Sequence, residues 1–120
     1  MNKDKKETET KRNNKFIFAN GDIYEGEYEL NGSGSLIRSG EGIFTCSDGI
    51  IYSGTWLNDK LNGKGYYLHP DGCKYKGDFV DGRFEGVGTY TWPDGSYYNG
   101  EFKQSKFEGK GFFKDTTGQI

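Results

Sequence analysis

A chain of 120 residues is long enough for one small domain, and its supply of aliphatic side chains is thin. Seventeen per cent of the residues are aromatic and 20 are regularly placed glycines, which favours an ordered chain over a loose glycine-rich linker. The net charge of −2 argues against wholesale nucleic-acid binding, which needs clustered lysines and arginines.

The first segment of the chain, residues 1–15, carries six basic and three acidic side chains, whereas the rest carries ten basic and fifteen acidic ones. Because this segment has no apolar residue after Met1, we expect a disordered basic leader. A weak electrostatic tether to an acidic partner or to anionic lipid is the alternative. No apolar run is long enough for a signal peptide or a membrane-spanning helix, so we expect a soluble, cytoplasmic protein.

From residue 16 onward the chain follows a repeat of 23 residues. Each full unit opens with a tyrosine, has a glycine two residues later and an aromatic residue two beyond that, as in Tyr52-Ser-Gly54-Thr-Trp56. A glycine pair follows eleven and thirteen residues after the tyrosine, then another aromatic residue and a turn such as Asp71-Gly72. The expected array covers residues 16–120, with full units starting at residues 24, 52, 75 and 98.

The array begins with a half unit at residues 16–23, in which Phe16 and Asn20-Gly21 match Phe44 and Asp48-Gly49 of the next unit. The first full unit is five residues longer than the others. Its extra residues lie in the glycine- and serine-rich stretch 31–39, where we expect one enlarged loop. The remaining units keep the 23-residue spacing.

Each unit predicts two β-strands, because apolar residues recur with a period of two and no window shows helical periodicity. In the unit that starts at Tyr52, Gly54 and Trp56 share a face with that tyrosine. The other face is predicted to be polar, with Ser53, Thr55, Lys76, Asp78, Asn99 and Glu101.

Loop lengths then set the strand register. A four-residue loop at 59–62 would place Trp56 opposite Gly65 and Gly54 opposite Tyr67, so that each ring lies across from a glycine. Between units, the turn at Pro93-Asp94-Gly95 predicts a three-residue loop, because proline presets φ and glycine accepts a positive φ. That loop keeps the aromatic residues of successive units on one face.

These features predict an all-β fold: a single elongated, curled antiparallel meander of about nine strands built from β-hairpin repeats. Because one face is aromatic and no helix covers it, we expect the sheet to curl into a trough with the rings on its concave face.

The Tyr-x-Gly-x-aromatic and Gly-x-Gly blocks, which span roughly residues 16–118, resemble the MORN repeat family (membrane occupation and recognition nexus). The resemblance implies an interaction platform, since some members grip a partner's peptide in their groove. Other members join enzymes whose catalytic part is a separate domain, and we expect no such domain in these 120 residues.

Chemistry-bearing side chains are sparse. His69 is the only histidine, and it occupies the repeat position of Phe18, Cys46 and Trp92, which favours a packing role over catalysis. Cys46 and Cys73 fall at different phases of the repeat, so we interpret them as incidental free thiols. No spacing suits zinc or calcium, and no helix follows the Gly-x-Gly pairs to bind a dinucleotide. We therefore expect no enzyme, no metal and no cofactor.

The aromatic face is the predicted binding surface, because large exposed apolar areas usually mark interaction sites. We expect about half of its rings to be core only. A protein partner, as a peptide or a helix, is the leading hypothesis, on cytoskeletal, ciliary or vesicle-trafficking machinery by analogy with the family. The alternatives are a phospholipid or membrane-surface module and a self-assembling scaffold that forms homo-oligomers through its end strands. The candidate contact residues are Tyr24, Tyr28, Tyr52, Trp56, Tyr67, Tyr75, Phe79, Tyr90, Trp92, Tyr98 and Phe102.

Overall fold

The computed structural model describes residues 12–116, which form one open antiparallel sheet and contain no helix. Nine strands pair in chain order, each with the next, and the molecule measures 58 × 33 × 19 Å. The prediction of an elongated all-β meander is confirmed. The strands are β1 (Arg12–Ile17), β2 (Ile23–Leu30), β3 (Leu36–Thr45), β4 (Ile51–Leu57), β5 (Lys60–Leu68), β6 (Lys74–Val80), β7 (Arg83–Thr91), β8 (Tyr97–Lys103) and β9 (Lys106–Lys114).

The sheet starts four residues before the expected boundary of the array, because β1 begins at Arg12 and pairs with β2 along its whole length. Residues 12–15 of the expected leader are therefore part of the sheet. The rest of that leader, residues 1–11, and the last part of the expected array, residues 117–120, lie outside the described residues.

The hairpin turn inside the unit that starts at residue 52 has two residues, not the four that we expected. Leu57 pairs with Lys60, and the turn consists of Asn58 and Asp59 with φ angles of 49° and 73°. Two consecutive positive φ angles are typical of the type I′ turn, whose twist matches that of the flanking strands. The same two-residue turn recurs at residues 81–82 and 104–105.

The predicted register inside the units is consequently wrong. Gly54 faces Gly65 and Tyr52 faces Tyr67, whereas Trp56 faces Leu61, and an irregularity in the ladder separates the two sets of pairs. The observed register differs from the predicted one by two residues at Gly54 and by four at Trp56, beyond the irregularity. A shift of two residues leaves every side chain on the same face, so parity alone cannot distinguish the two arrangements.

The glycines of successive strands form a continuous row across the sheet, and tyrosine rings fill the space above it. A Cβ atom added to Gly88 would lie 2.5 Å from the Cε1 and Oη atoms of Tyr75. A ring faces a glycine across the junctions between units, for example Phe102 opposite Gly86, and not inside the units, where we expected it. The glycine row consists of Gly26, Gly42, Gly54, Gly65, Gly77, Gly88, Gly100 and Gly111.

The three-residue loop predicted between units is confirmed. The backbone N–H of Trp92 donates to the carbonyl of Ser96 at 2.8 Å, and that of Gly95 donates to the carbonyl of Trp92 at 2.9 Å. Gly95 has a φ of 94°, and Tyr90 faces Tyr98 across the junction. The loop therefore returns the chain with its aromatic side chains on the same face.

The insertion in the first full unit lengthens the hairpin as well as its loop. Leu30 pairs with Leu36, a pair that the other units lack, and residues 31–35 connect the strands. The Asn31 side chain accepts hydrogen bonds from the backbone N–H groups of Ser33 and Ser35 at 3.0 and 2.9 Å, so it organises this loop.

The core is a single layer of rings on one face of the sheet. Rings from strands two positions apart touch: Tyr24 contacts Trp56 with centroids 5.8 Å apart, and Tyr75 contacts Phe102 at 4.9 Å. Each unit is thus packed against its successor, as expected for a linear repeat array. The buried apolar side chains are Tyr24, Trp56, Leu61, Tyr75, Phe79 and Phe102.

The opposite face, which we call the outer face, is less polar than predicted. Ile43 and Tyr66 flank Ser53 on neighbouring strands, and Val87 and Phe112 are 57% and 41% exposed. Its carboxylates also bind backbone, since Asp78 accepts from the N–H of Val87 at 3.2 Å.

Candidate binding surface

The aromatic face separates into buried rings and rings that remain accessible. Five of the eleven predicted contact residues are core residues: Tyr24, Trp56, Tyr75, Phe79 and Phe102. Their side chains pack within the core and expose at most 5% of their surface, so they offer little area to a partner. The six half-buried ones are Tyr28, Tyr52, Tyr67, Tyr90, Trp92 and Tyr98.

The most accessible rings cluster near β9. Trp92 contacts Tyr90 with centroids 5.1 Å apart, Phe113 at 5.7 Å and Phe107 at 5.9 Å. Phe107 and Phe113 are 51% and 45% exposed, although neither was among the predicted contact residues. Their exposure reflects the lack of a strand beyond β9 within residues 12–116, a property that the repeat pattern alone does not reveal. We call these four residues the aromatic end cluster.

A groove of about 480 Å³ runs beside the aromatic end cluster. Trp92 and Phe107 form one side, while Lys106 and Ser105 bring polar atoms to its rim. Apolar walls with a few polar groups at the rim are typical of surfaces that bind peptides or helices.

In the first half of the array, Arg38 lies over two rings of the aromatic face. Within residues 12–116 no other cation does so. Its guanidinium carbon is 4.6 Å from the ring centroids of both Phe44 and Trp56. The Nε atom donates to Asp59 Oδ1 at 2.7 Å, and Nη2 donates to the backbone carbonyl of Asp59 at 3.0 Å. A groove of about 240 Å³ adjoins this pair.

The Arg38–Asp59 pair has a defined electrostatic state. Burial by itself raises the pKa of Asp59, but hydrogen bonds from the Arg38 side chain and backbone, together with its charge, lower that pKa below its ordinary value. The carboxylate is therefore ionised at neutral pH. The pair presents a local dipole next to the groove and no net charge.

The buried tyrosines are neutral over the physiological range. The hydroxyl of Tyr75 donates to the carbonyl of Asp78 at 2.8 Å, and that of Tyr24 donates to the carbonyl of Glu27. Burial raises the pKa of each hydroxyl to about 12. Each of these hydrogen bonds lies within one strand, beside the irregularity in its ladder, and the hydroxyls supply no base or nucleophile at neutral pH.

His69 is half-buried, at the position that Trp92 occupies in the next unit. Its Nδ1 atom is 3.0 Å from Asp71 Oδ1, and its ring is 6.4 Å from that of Tyr67, in agreement with a packing position. Cys46 and Cys73 are free and half-buried. Within residues 12–116, no group of three or more His, Cys, Asp or Glu side chains is arranged to hold a metal ion. In the same range there is no helix with the length and apolarity needed to cross a membrane.

Comparison with known protein families accounts for the repeat. The family model described as MORN repeat matches four consecutive segments, residues 37–51, 52–74, 75–97 and 98–120. The last three segments begin at Tyr52, Tyr75 and Tyr98, the tyrosines that open the units. A search of curated proteins found no match.

Proposed function

Since the chain belongs to the MORN repeat family, we propose that it is a non-catalytic adaptor that holds a partner peptide or helix along its aromatic face. MORN repeats are generally modules for protein or membrane interaction, and the family is non-enzymatic. The proposal adds to this general role a specific surface and a kind of partner.

The observation that carries the proposal is the aromatic end cluster. Large apolar side chains normally avoid water, and Phe107 and Phe113 each expose about half of their surface. Trp92 and Tyr90 extend the same patch towards the groove beside β9. Tryptophan and tyrosine are frequent binding anchors, because they offer a large rigid contact area and one polar atom.

A partner lying along the face would meet two chemically different regions. The aromatic end cluster would take apolar side chains, whereas the ion pair of Arg38 and Asp59 would take a polar group of the partner. An amphipathic helix or an extended peptide supplies both kinds of group at regular spacing. We place this interaction in the cytoplasm, on cytoskeletal, ciliary or vesicle-trafficking machinery, by analogy with the family.

The test compares two double variants in the full chain. Tyr90→Ser with Trp92→Ser alters the aromatic end cluster, and Tyr66→Ser with Tyr97→Ser removes two half-buried tyrosines from the outer face as a matched control. Proximity labelling in cells followed by affinity capture should lose the same partners only for the first variant. Equal recovery by both folded variants would refute binding through the aromatic face.

Membrane-surface recognition is the second candidate, and the excess of basic residues in segment 1–15 favours it. Each net basic residue near an anionic surface contributes roughly 1 kcal/mol, so this segment gives a modest attraction. Flotation with phosphoinositide liposomes, with and without residues 1–15, measures it. Absence of lipid-dependent flotation in both forms would eliminate this candidate.

A further inference from the structure

The outer edge of β9 repeats an edge that is occupied three times within the sheet. β3, β5 and β7 each carry two glycines and an aromatic residue that pair with the first strand of the next unit. β9 presents the same pattern with Gly109, Gly111 and Phe113, and no strand within residues 12–116 pairs with its outer edge.

The occupied junctions define what such an edge accepts. At the junction of β7 with β8, the incoming strand sets a tyrosine opposite an aromatic residue, a glycine opposite the second glycine and a phenylalanine opposite the first. The junction of β5 with β6 follows the same rule, and that of β3 with β4 differs only in having Trp56 opposite the first glycine. The pairs at the last junction are Tyr90 with Tyr98, Gly88 with Gly100 and Gly86 with Phe102.

The exposure of one side chain in β9 shows the effect of having no further strand beside it within residues 12–116. Leu61 is 2% exposed, and Phe107 at the equivalent position is 51% exposed. One more strand would complete the same packing at this end.

A second feature of the junctions concerns the turn that follows the incoming strand. The second turn residue donates its backbone N–H to the preceding unit: Gly82 to the carbonyl of Leu61 at 2.9 Å, and Ser105 to that of Phe84 at 3.0 Å. Phe107 holds the position of Leu61 and Phe84 in the last unit. No turn in the described part of the chain makes the equivalent contact with it.

A lysine on the outer face of β9 indicates which charge the added strand should carry. Lys64, which lies between two glycines of β5, forms an ion pair with Asp78 of the incoming strand, with Nζ and Oδ1 2.6 Å apart. Lys110 lies at the same position between Gly109 and Gly111 of β9. A strand added to β9 in the same register would place its residue after the glycine opposite Lys110, and an acidic side chain there would complete the pair.

We propose that the β9 edge binds an extended segment of a different protein with the pattern aromatic-x-Gly-acidic-aromatic, which adds antiparallel as a further strand. Backbone hydrogen bonds would provide affinity, and the glycine, the rings and the acidic residue would provide specificity. This edge adjoins the aromatic face and shares Phe107 and Phe113 with the aromatic end cluster, but backbone pairing and charge along β9 carry the inference, so it does not rest on the proposed function.

A second copy of this chain fits the edge less well. Pairing two β9 strands with Gly109 opposite Gly111 of the other copy would place Lys110 against Lys110 and Lys106 against Lys114. Like charges directly opposite each other destabilise a strand pair. The Tyr-x-Gly strands β2, β4, β6 and β8 are already paired on both sides within the sheet.

The test uses a labelled peptide with the sequence of residues 74–82, the strand and turn that occupy the equivalent edge of β5. Fluorescence anisotropy with the full chain should show saturable binding, and backbone amide NMR shifts should change along β8 and β9. Two forms of the peptide, N-methylated on alternate residues in opposite phases, provide a matched control. Only one phase should bind, because only one leaves the backbone donors towards β9 intact.

Exchanging the charges of Lys110 in the chain and Asp78 in the peptide tests the register in which the peptide pairs with β9. Lys110→Glu in the chain should weaken the peptide about threefold to fivefold, as expected for an exposed ion pair. The peptide with Asp78→Lys should recover this loss with the Lys110→Glu chain and bind poorly to the wild-type chain.

Three results would overturn the inference: no saturable binding to the wild-type chain, shift changes on the aromatic face without changes in β9, or equal binding by both N-methylated peptides. Light scattering that shows dimers of the wild-type chain, with amide shifts that change along β9 on dilution, would assign the edge to a second copy and would also overturn it. Binding through the aromatic face is separable, because Tyr90→Ser with Trp92→Ser leaves the backbone and charge of β9 unchanged.

Discussion

Arg38 faces Tyr28 across β2 and β3, at the position where each later unit pairs two apolar side chains. The guanidinium fits among rings because it stacks over Phe44 and Trp56 while its polar atoms bind Asp59. A charged group thus replaces an apolar one without leaving an unpaired charge in the core. The apolar pairs at the equivalent position are Trp56 with Leu61, Phe79 with Phe84 and Phe102 with Phe107.

The first prediction concerns Arg38, which holds a position that is apolar in the later units. Arg38→Ala should lower the free energy of unfolding by about 1–2 kcal/mol, because it removes the stacking on both rings and the hydrogen bonds to Asp59. Arg38→Leu should lose less, since leucine is the residue at the equivalent position 61. Chemical denaturation measures both, with the exposed Arg83→Ala as control. Equal losses for the alanine and leucine variants would contradict a packing role for this position.

The second prediction separates two reasons for which a glycine is required. Gly88→Ala should destabilise the fold by about 2 kcal/mol, because its Cβ would collide with the buried ring of Tyr75. Gly95 has open space around it but a φ of 94°, so Gly95→Ala should cost about 1 kcal/mol through backbone strain.

Gly32 provides the control for both variants. Nothing lies within 4 Å of its added Cβ and its backbone is not left-handed, so Gly32→Ala should change the unfolding free energy by less than about 0.5 kcal/mol. Thermal or urea unfolding of the three variants would rank them. A Gly95 variant that loses more stability than the Gly88 variant would contradict the steric argument.

The sequence predicts the features that depend on period and turn chemistry. The 23-residue repeat determines the number of strands, and Pro93-Asp94-Gly95 determines the loop between units and the shared face of Tyr90 and Tyr98. It does not predict the register inside a unit, because a shift of two residues keeps the faces unchanged. The pairing of Gly54 with Gly65 depends on the irregularity in the ladder beside it.

Accessibility within the aromatic face is also beyond the sequence pattern. Phe84 and Phe107 occupy equivalent positions, yet one is half-buried and the other is 51% exposed. The difference arises from the neighbouring unit and not from the residue or its own unit. The position of Arg38 similarly follows from the lengthened hairpin, which brings it into line with Leu61 of the next unit.

The third prediction concerns the turn at residues 104–105. Gln104 has a φ of 50°, and Asn58 holds the same position in an earlier unit with a φ of 49°. Asparagine tolerates this backbone conformation better than glutamine, so Gln104→Asn should raise the unfolding free energy by about 0.5 kcal/mol. The reciprocal Asn58→Gln should lower it by a similar amount. Two changes of the same sign would show that side-chain contacts and not φ govern these turns.

The last prediction is a loss of stability at alkaline pH. Burial raises the pKa of Tyr24 and Tyr75 to about 12 in the folded chain, whereas an exposed tyrosine in the unfolded chain ionises near 10. Above pH 10 the unfolded chain therefore releases protons that the folded chain retains. The unfolding free energy should be constant with respect to these groups below pH 10 and fall between pH 10 and about 12.

The slope in that window should be about 1.4 kcal/mol per pH unit for each tyrosine. Urea unfolding at a series of alkaline pH values measures it, with tyrosinate absorbance as a second readout. The Tyr24→Phe and Tyr75→Phe double variant is the control: it loses the hydroxyl hydrogen bonds and starts from a lower stability, but its stability should fall less steeply with pH. An unchanged slope in the double variant would mean that the alkaline transition originates in other groups, among which Tyr52, Tyr67 and Tyr90 also have pKa values raised by burial.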